Sequence, residues 1–261
     1  MDELTKNAHL DRPPLAYQNQ DFLKTPDARV LRILSEYLEP FAHFRKQKIR
    51  DTVVFFGSAR LREDGPLSHY YEAARKLARM ITEWGAKIDG GINRFVITSG
   101  GGPGIMEAAN RGAAEAGGKT IGLNIGLPFE QFPNPYITPE LCFEFHYFFM
   151  RKFWFAYMAK AMVVFPGGFG TMDELFELLT LVQTRKLAKK IHIVLYGSEY
   201  WKELINFDAF VKHDMIAKED LNLFQFADDP ETALEILKKG LKMYIPPAEP
   251  ETPYIAETVK P

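Results

Sequence analysis

The sequence predicts an α/β fold: a doubly wound parallel sheet in a single domain, with an N-terminal helical extension and a C-terminal tail. Three observations carry this. Short apolar runs of strand length alternate with segments of helical period along most of the chain. One such run, Met162-Val163-Val164-Phe165, is apolar throughout, as a strand covered on both faces is. Two strands also end in glycine-rich turns that lead straight into helices, which suits a nucleotide held at the carboxyl edge of a parallel sheet.

Taken in order, residues 1–25 are polar, hold Pro13-Pro14 and are expected to form a flexible, extended arm. From about Pro26 to Gln47, the residues Val30, Ile33, Leu34, Tyr37, Leu38 and Phe41 trace an amphipathic helix, with a kink or break expected at Pro40. This helix packs on the sheet or on another subunit. Thr52 to Phe56 is the first strand and runs into Gly57-Ser58; Tyr70 to Trp84 is a helix. Arg94 to Thr98 is the second strand, ending in Ser99-Gly100-Gly101-Gly102-Pro103-Gly104, with a helix from Ile105 to Ala116. Lys119 to Ile125 is a third strand, and the loop Gly126 to Pro139 is too rich in proline for regular structure. Leu141 to His146 is a fourth strand and Tyr147 to Lys160 an aromatic-rich helix, either a core helix or a subunit interface. The fifth strand closes at Phe165, the helix Met172–Arg185 follows, and Lys190 to Tyr196 is the sixth strand. Trp201 to Lys212 and Pro230 to Met243 read as terminal helices. The domain thus spans 26–244, and 245–261 is a proline-rich acidic tail.

Composition narrows the function classes. A chain of 261 residues with 46% apolar and 25% charged side chains can bury a substantial core. A net charge of −2 offers no electrostatic case for nucleic acid or an anionic membrane. The one cysteine, Cys142, excludes an internal disulfide framework. The start, MDELTKNAHLDRPP, lacks the apolar core of a signal peptide, so the cytoplasm is the expected compartment. The run Phe143 to Phe165 is broken by Arg151, Lys152 and Lys160, so no membrane span is expected. The histidines show no ligand spacing, and neither metal nor cofactor is expected.

The stretch Ala161 to Glu177 concentrates the chemistry. Gly167, Gly168 and Gly170 allow a ligand close to the backbone, and the first-turn N–H groups of the following helix form a phosphate cradle. The Walker A loop is excluded because no lysine follows these glycines. The dinucleotide fingerprint is excluded because Asp173, and at the other turn Glu107, stands where its third glycine belongs. Thr171-x-x-Glu174 also has the spacing of a capping box. From the residues alone, Glu174 is a cap, a catalytic acid, or both. Arg151-Lys152 sits among Phe148, Phe149, Met150, Phe153, Trp154 and Phe155; cations so placed call for an acidic partner or a phosphate.

The string Pro166-Gly-Gly-x-Gly-Thr-x-x-Glu174, with Arg151-Lys152 ahead of it, resembles the signature of the LOG ("Lonely guy") family, phosphoribohydrolases that release cytokinin bases from their nucleotides. Some members carry an older lysine decarboxylase label. Similarity runs from about Val53 to Tyr196, and Phe149 at the histidine position of the pattern matches the longer branch of the family. The resemblance implies a Rossmann-like domain in which Arg151 and Glu174 are the catalytic pair. It implies that Gly167, Gly168, Phe169, Gly170 and Thr171 hold a 5′-phosphate and that Lys152 and Thr180 line the site. Gly57, Ser58, Gly101, Gly102 and Asn124 complete the expected substrate contacts.

The expected reaction is hydrolysis of the N-glycosidic bond of a nucleoside 5′-monophosphate, with Glu174 stabilising an oxocarbenium-like ribose. The expected partners are that nucleotide and further copies of the chain, as a dimer or higher homo-oligomer. Two rival readings are a non-catalytic nucleotide or molybdenum-cofactor carrier and an amino-acid decarboxylase; the latter needs a pyridoxal-phosphate lysine for which no setting is visible.

Overall fold

The computed structural model describes residues 12–88, 93–127, 132–187 and 189–245. Asn19 caps α1 (Gln20–Lys24) by accepting the N–H of Phe22, so the stretch read as extended closes on a short helix. The rest of that arm, residues 1–11, lies outside the described residues, as do 246–261 of the tail. α2 (Arg29–Lys46) runs unbroken through Pro40, where a kink or break was expected. Proline has no N–H, so the carbonyl of Glu36 four residues earlier loses its helical donor; Trp154 Nε1–H takes it at 2.8 Å.

The remaining elements are β1 (Thr52–Phe56), α3 (Ser68–Gly85), β2 (Val96–Ser99), α4 (Ile105–Glu115), β3 (Thr120–Ile125), β4 (Cys142–Phe145), α5 (Phe148–Met158), β5 (Ala159–Val164), α6 (Phe169–Gln183), β6 (His192–Tyr196), α7 (Ser198–Leu204), α8 (Phe207–Lys212), β7 (Phe224–Ala227) and α9 (Pro230–Leu241), with the six expected strands all present. All seven strands run parallel in the order β4-β3-β2-β1-β5-β6-β7. The chain therefore winds outward from β1 on one side, returns, and winds outward on the other. The switch between β1 and β5 opens a crevice at the carboxyl ends of these strands.

Period-two alternation in β1 divides the core. Val54 and Phe56 join the layer of α2, α5, α6 and α7, with Trp154 and Trp201 at its centre. Val53 and Phe55 join the layer of α3, α4 and α9. Each fully buried aliphatic or aromatic side chain contributes roughly 1.5–3 kcal/mol, which makes the two layers the main source of stability. No described helix is long and apolar enough to cross a membrane.

Several boundaries differ from the sequence expectation. A seventh strand, β7, was not anticipated. The second strand starts at Val96 instead of Arg94, because Phe95 adopts φ 54° and gives its N–H to Asp51 Oδ1 at 2.6 Å. Arg94 pairs with the same carboxylate at 2.8 Å, both side chains buried. β5 begins directly after α5, absorbing the expected end of that helix. The segment 201–212 divides in two at Ile205-Asn206, where Asn206 caps α8.

Candidate active site

A cleft of about 860 Å³ opens at the switch between β1 and β5. The turn after β1 (Gly57 to Leu61) forms one wall and Pro166 to Glu174 the other; Arg151 and Phe148 of α5 and Tyr200 of α7 close it. The two turns are tied together. Ser58 N–H donates to Pro166 O at 2.9 Å, and Ile105 N–H, at the start of α4, donates to Ser58 O at 3.1 Å. Gly57 is required here, since a Cβ would stand 2.7 Å from Ile105. Ser58 Oγ accepts the N–H of Arg60, which leaves its own proton free for a ligand.

α6 starts three residues earlier than expected, with Gly168 as its N-cap and no side-chain capping bond. Thr171 is therefore inside the helix, and the capping-box reading of Thr171 and Glu174 is corrected. Thr171 is instead buried against Gly167, where a Cβ would collide with its Oγ1. Tyr200 Oη donates to Gly167 O at 2.7 Å and fixes the loop from the far side. The N–H groups of Phe169, Gly170 and Thr171 have no acceptor among the described residues. They open the helix with an uncompensated positive end. Gly168 and Gly170 have nothing within 4 Å of a notional Cβ, so this backbone is bare to the cleft. Phe169, 95% exposed, projects at the rim.

Glu174 sits further along α6, only 8% exposed, and its carboxyl has no hydrogen-bond partner among the described residues. Burial pushes it up to about 7, against the pull of Arg151 and, more weakly, Lys152. Arg151 is placed from several directions. Nε donates to Leu123 O at 2.8 Å, the guanidinium lies over the Phe155 ring at 5.2 Å, and Nη2 would meet a Cβ at Gly100 at 2.5 Å. Burial lowers its pKa and the nearby Glu174 opposes that. The two make no direct ion pair within 4.0 Å among the described residues. Glu36 of α2 fixes the start of α5 by accepting the N–H groups of His146 (2.8 Å) and Tyr147 (3.3 Å).

The other expected residues divide. Lys152 does not line the cleft; it bridges Asp173 at 2.7 Å and Glu177 at 3.1 Å, clasping α5 to α6 beside Glu174. The acidic partner foreseen for the Arg-Lys pair is thus real for Lys152. Gly101 and Gly102 are not among the residues lining the cleft, and their carbonyls accept from Asn134 Nδ2 at 3.0 and 3.2 Å. Asn134 also bonds Asn110, which reaches Ser99 and Thr120 in one buried polar network. Gly101 has φ 76° and packs on Asn124 with no room for a Cβ. Asn124 turns inward to Phe143 O at 3.0 Å, so the structure does not bring it to the cleft. Nor does it bring Thr180, which bonds Phe176 O in a shallow groove on the outer side of α6. Sequence reasoning missed Tyr200, Arg60 and Met106. A third strand-to-helix turn, Gly197-Ser198 after β6, was the available signal for Tyr200. Among the described residues no group of three or more His, Cys, Asp or Glu gathers as metal ligands.

Residues 106–237 match a family model described as "Possible lysine decarboxylase". Cytokinin riboside 5′-monophosphate phosphoribohydrolase LOG of Oryza sativa subsp. japonica is 27% identical over 207 residues, covering 78% of this chain and 78% of its own length. Its counterpart LOG3 of Arabidopsis thaliana is 28% identical over 206 residues, 77% of this chain and 86% of its own. The molybdenum cofactor carrier protein of Chlamydomonas reinhardtii superposes with a TM-score of 0.50 at 21% identity, over 74% of this chain and 99% of that one, a likeness of fold.

Proposed function

The chain belongs to the LOG family, whose model carries the lysine decarboxylase description, and from that premise we propose a nucleoside 5′-monophosphate phosphoribohydrolase. The substrate is a cytokinin riboside 5′-monophosphate or an AMP-type nucleotide, and the products are the free base and ribose 5-phosphate. One observation carries the reading. Glu174, a buried carboxyl with no hydrogen-bond partner among the described residues, shares a cleft with first-turn N–H groups of α6, about one helical turn away, that lack an acceptor among the same residues.

The geometry supports a division of labour. The 5′-phosphate rests on the first turn of α6, where free donors and the helix dipole favour an anion. Its binding energy holds the ribose C1′ in reach of Glu174. As the bond from C1′ to the base breaks, the electron pair leaves with the base and positive charge grows on the ribose. The Glu174 carboxylate faces that charge in a poorly solvated site, where it acts most strongly. It also accepts a proton from the water whose oxygen bonds to C1′ and passes it on to solvent, while the departing base takes a proton from solvent and leaves as the neutral free base. Arg151 keeps a share of the Glu174 population ionised near neutral pH and offers its remaining donors to the ribose or phosphate. Activity then rises with pH along an acidic limb near 7.

No lysine stands among the described residues lining the cleft, which weighs against a Schiff-base decarboxylase. The test is incubation with AMP and with N6-substituted adenosine monophosphates, following base and ribose 5-phosphate. Release of base from one of them supports the assignment. Failure to release any base ends it, and tight binding without turnover reassigns the chain to the carriers.

A further inference from the structure

Glu174 has two acidic neighbours on its own helix. Asp173 precedes it and Glu177 follows, so three carboxyl groups crowd the stretch 173–177 of α6. At about 100° per residue, Asp173 and Glu177 share one side of the helix, about 60–100° around from Glu174. Consecutive residues of α5 meet these two sides. Arg151 lines the cleft with Glu174, while the Lys152 ammonium reaches between the other two carboxylates, 2.7 Å from Asp173 and 3.1 Å from Glu177. Partial burial works against the charge on Lys152, and its bonds to the two carboxylates outweigh that and keep it ionised.

Like charges this close raise one another's proton affinity. Behind the burial that dominates at Glu174, Arg151 and then Lys152 draw its carboxyl towards ionisation, and Glu177 and Asp173 oppose them. On the facing wall Arg60 also lines the cleft, and the residues that α4 and α7 bring to it are uncharged. We propose that Lys152 is a positioning residue for the Glu174 proton: it cancels the two carboxylates beside Glu174 and so sets the pH above which Glu174 acts as a carboxylate. It does so from the side of α6, without touching the substrate. A plain clasp of α5 to α6 would need the Lys152 bonds to be made. Cancellation depends only on the sum of the charges.

This role rests on the one proposed for Glu174, whose carboxyl can nevertheless be titrated without turnover. Carbon-13 NMR of the ligand-free chain, labelled at its glutamate carboxyls, follows the resonance that Glu174→Gln removes. Lys152→Met should raise the ratio of protonated to ionised Glu174 about threefold or more at a given pH. Asp173→Asn with Glu177→Gln, Lys152 retained, should lower the ratio by a similar factor, and carries the test should Lys152→Met fail to fold. All three substitutions together should return the ratio to near the parent's, although no clasp remains, and Lys152→Arg should hold it there. The acidic limb of kcat/KM for AMP should move in the same directions. A titration that neither Lys152→Met nor the paired amide substitutions move overturns the proposal. So does a triple variant that titrates like Lys152→Met. Shifts of the expected sign in a chain that releases no base would uphold this role for Lys152 and end the hydrolase assignment instead.

Discussion

Replacing Glu174 by glutamine should stabilise the protein while removing its activity, and the gain can be worked from the site. Burial lifts the carboxyl from 4.5 to about 7. Above that pH the folded chain therefore carries a charge its surroundings disfavour by about 3 kcal/mol. Between 4.5 and 7 the folded chain holds a proton that the unfolded chain has released. Stability from this group is thus highest below 4.5, falls as pH rises through that window, and is level above it. Glutamine has no charge to desolvate. The advantage of Glu174→Gln should be small at about pH 5 and approach about 3 kcal/mol at about pH 8.5. In a chain of this size that is on the order of 5–10 °C in Tm. Base release should drop by about 10²-fold or more. Denaturant unfolding of the ligand-free protein at the two pH values measures the difference. A variant less stable than the parent at the higher pH, or a gain indifferent to pH, would refute the reasoning about burial.

Arg151→Met should lower kcat/KM by about 10²-fold or more and move the acidic limb of its pH profile upward, because Arg151 is the main influence holding Glu174 down. An unmoved limb would place the guanidinium's effect elsewhere. Gly170→Ala meets open space and should stabilise α6 by up to about 1 kcal/mol, yet raise KM for the monophosphate by crowding the amides. Gly167→Ala, by contrast, collides with Thr171 and should destabilise the fold as well; equal effects of the two alanines on Tm would contradict this. Tyr200→Phe should raise KM several-fold with kcat little changed, the loss of one hydrogen bond worth about 1 kcal/mol. Asp51→Ala strands the buried Arg94 charge and should cost about 3–5 kcal/mol of unfolding free energy, with KM of the folded protein unaffected.

The architecture was legible because most strands are apolar runs bounded by Gly or Pro. Errors fell where that punctuation is missing. Between Trp154 and Val164 no glycine or proline marks the passage from α5 into β5, so the end of the helix was set two residues late. β7 has only four residues, two of them phenylalanines, too short to show a period. At the site, the glycine turn and its acidic residue were readable because the chemistry is local in sequence. Thr171 misled because glycine at the N-cap leaves no side-chain signature, and the threonine three residues on imitates one. Thr180 follows Glu174 by six residues, about 240° around a helix, so the two face apart. Asn124 lies in a strand buried on both faces, where alternation cannot say which way an amide turns. Tyr200 reaches the loop only through the tertiary fold.

The carboxylate of Glu36, on α2, holds the chain at the start of the helix that carries Arg151, and its carbonyl satisfies Trp154. A shortened chain starting near Gln47 would keep every cleft-lining residue. It would nonetheless lose both fastenings at one stroke, along with the aromatic cover over α5. Trimming to the glycine-rich domain is therefore a way to loosen the guanidinium without touching it.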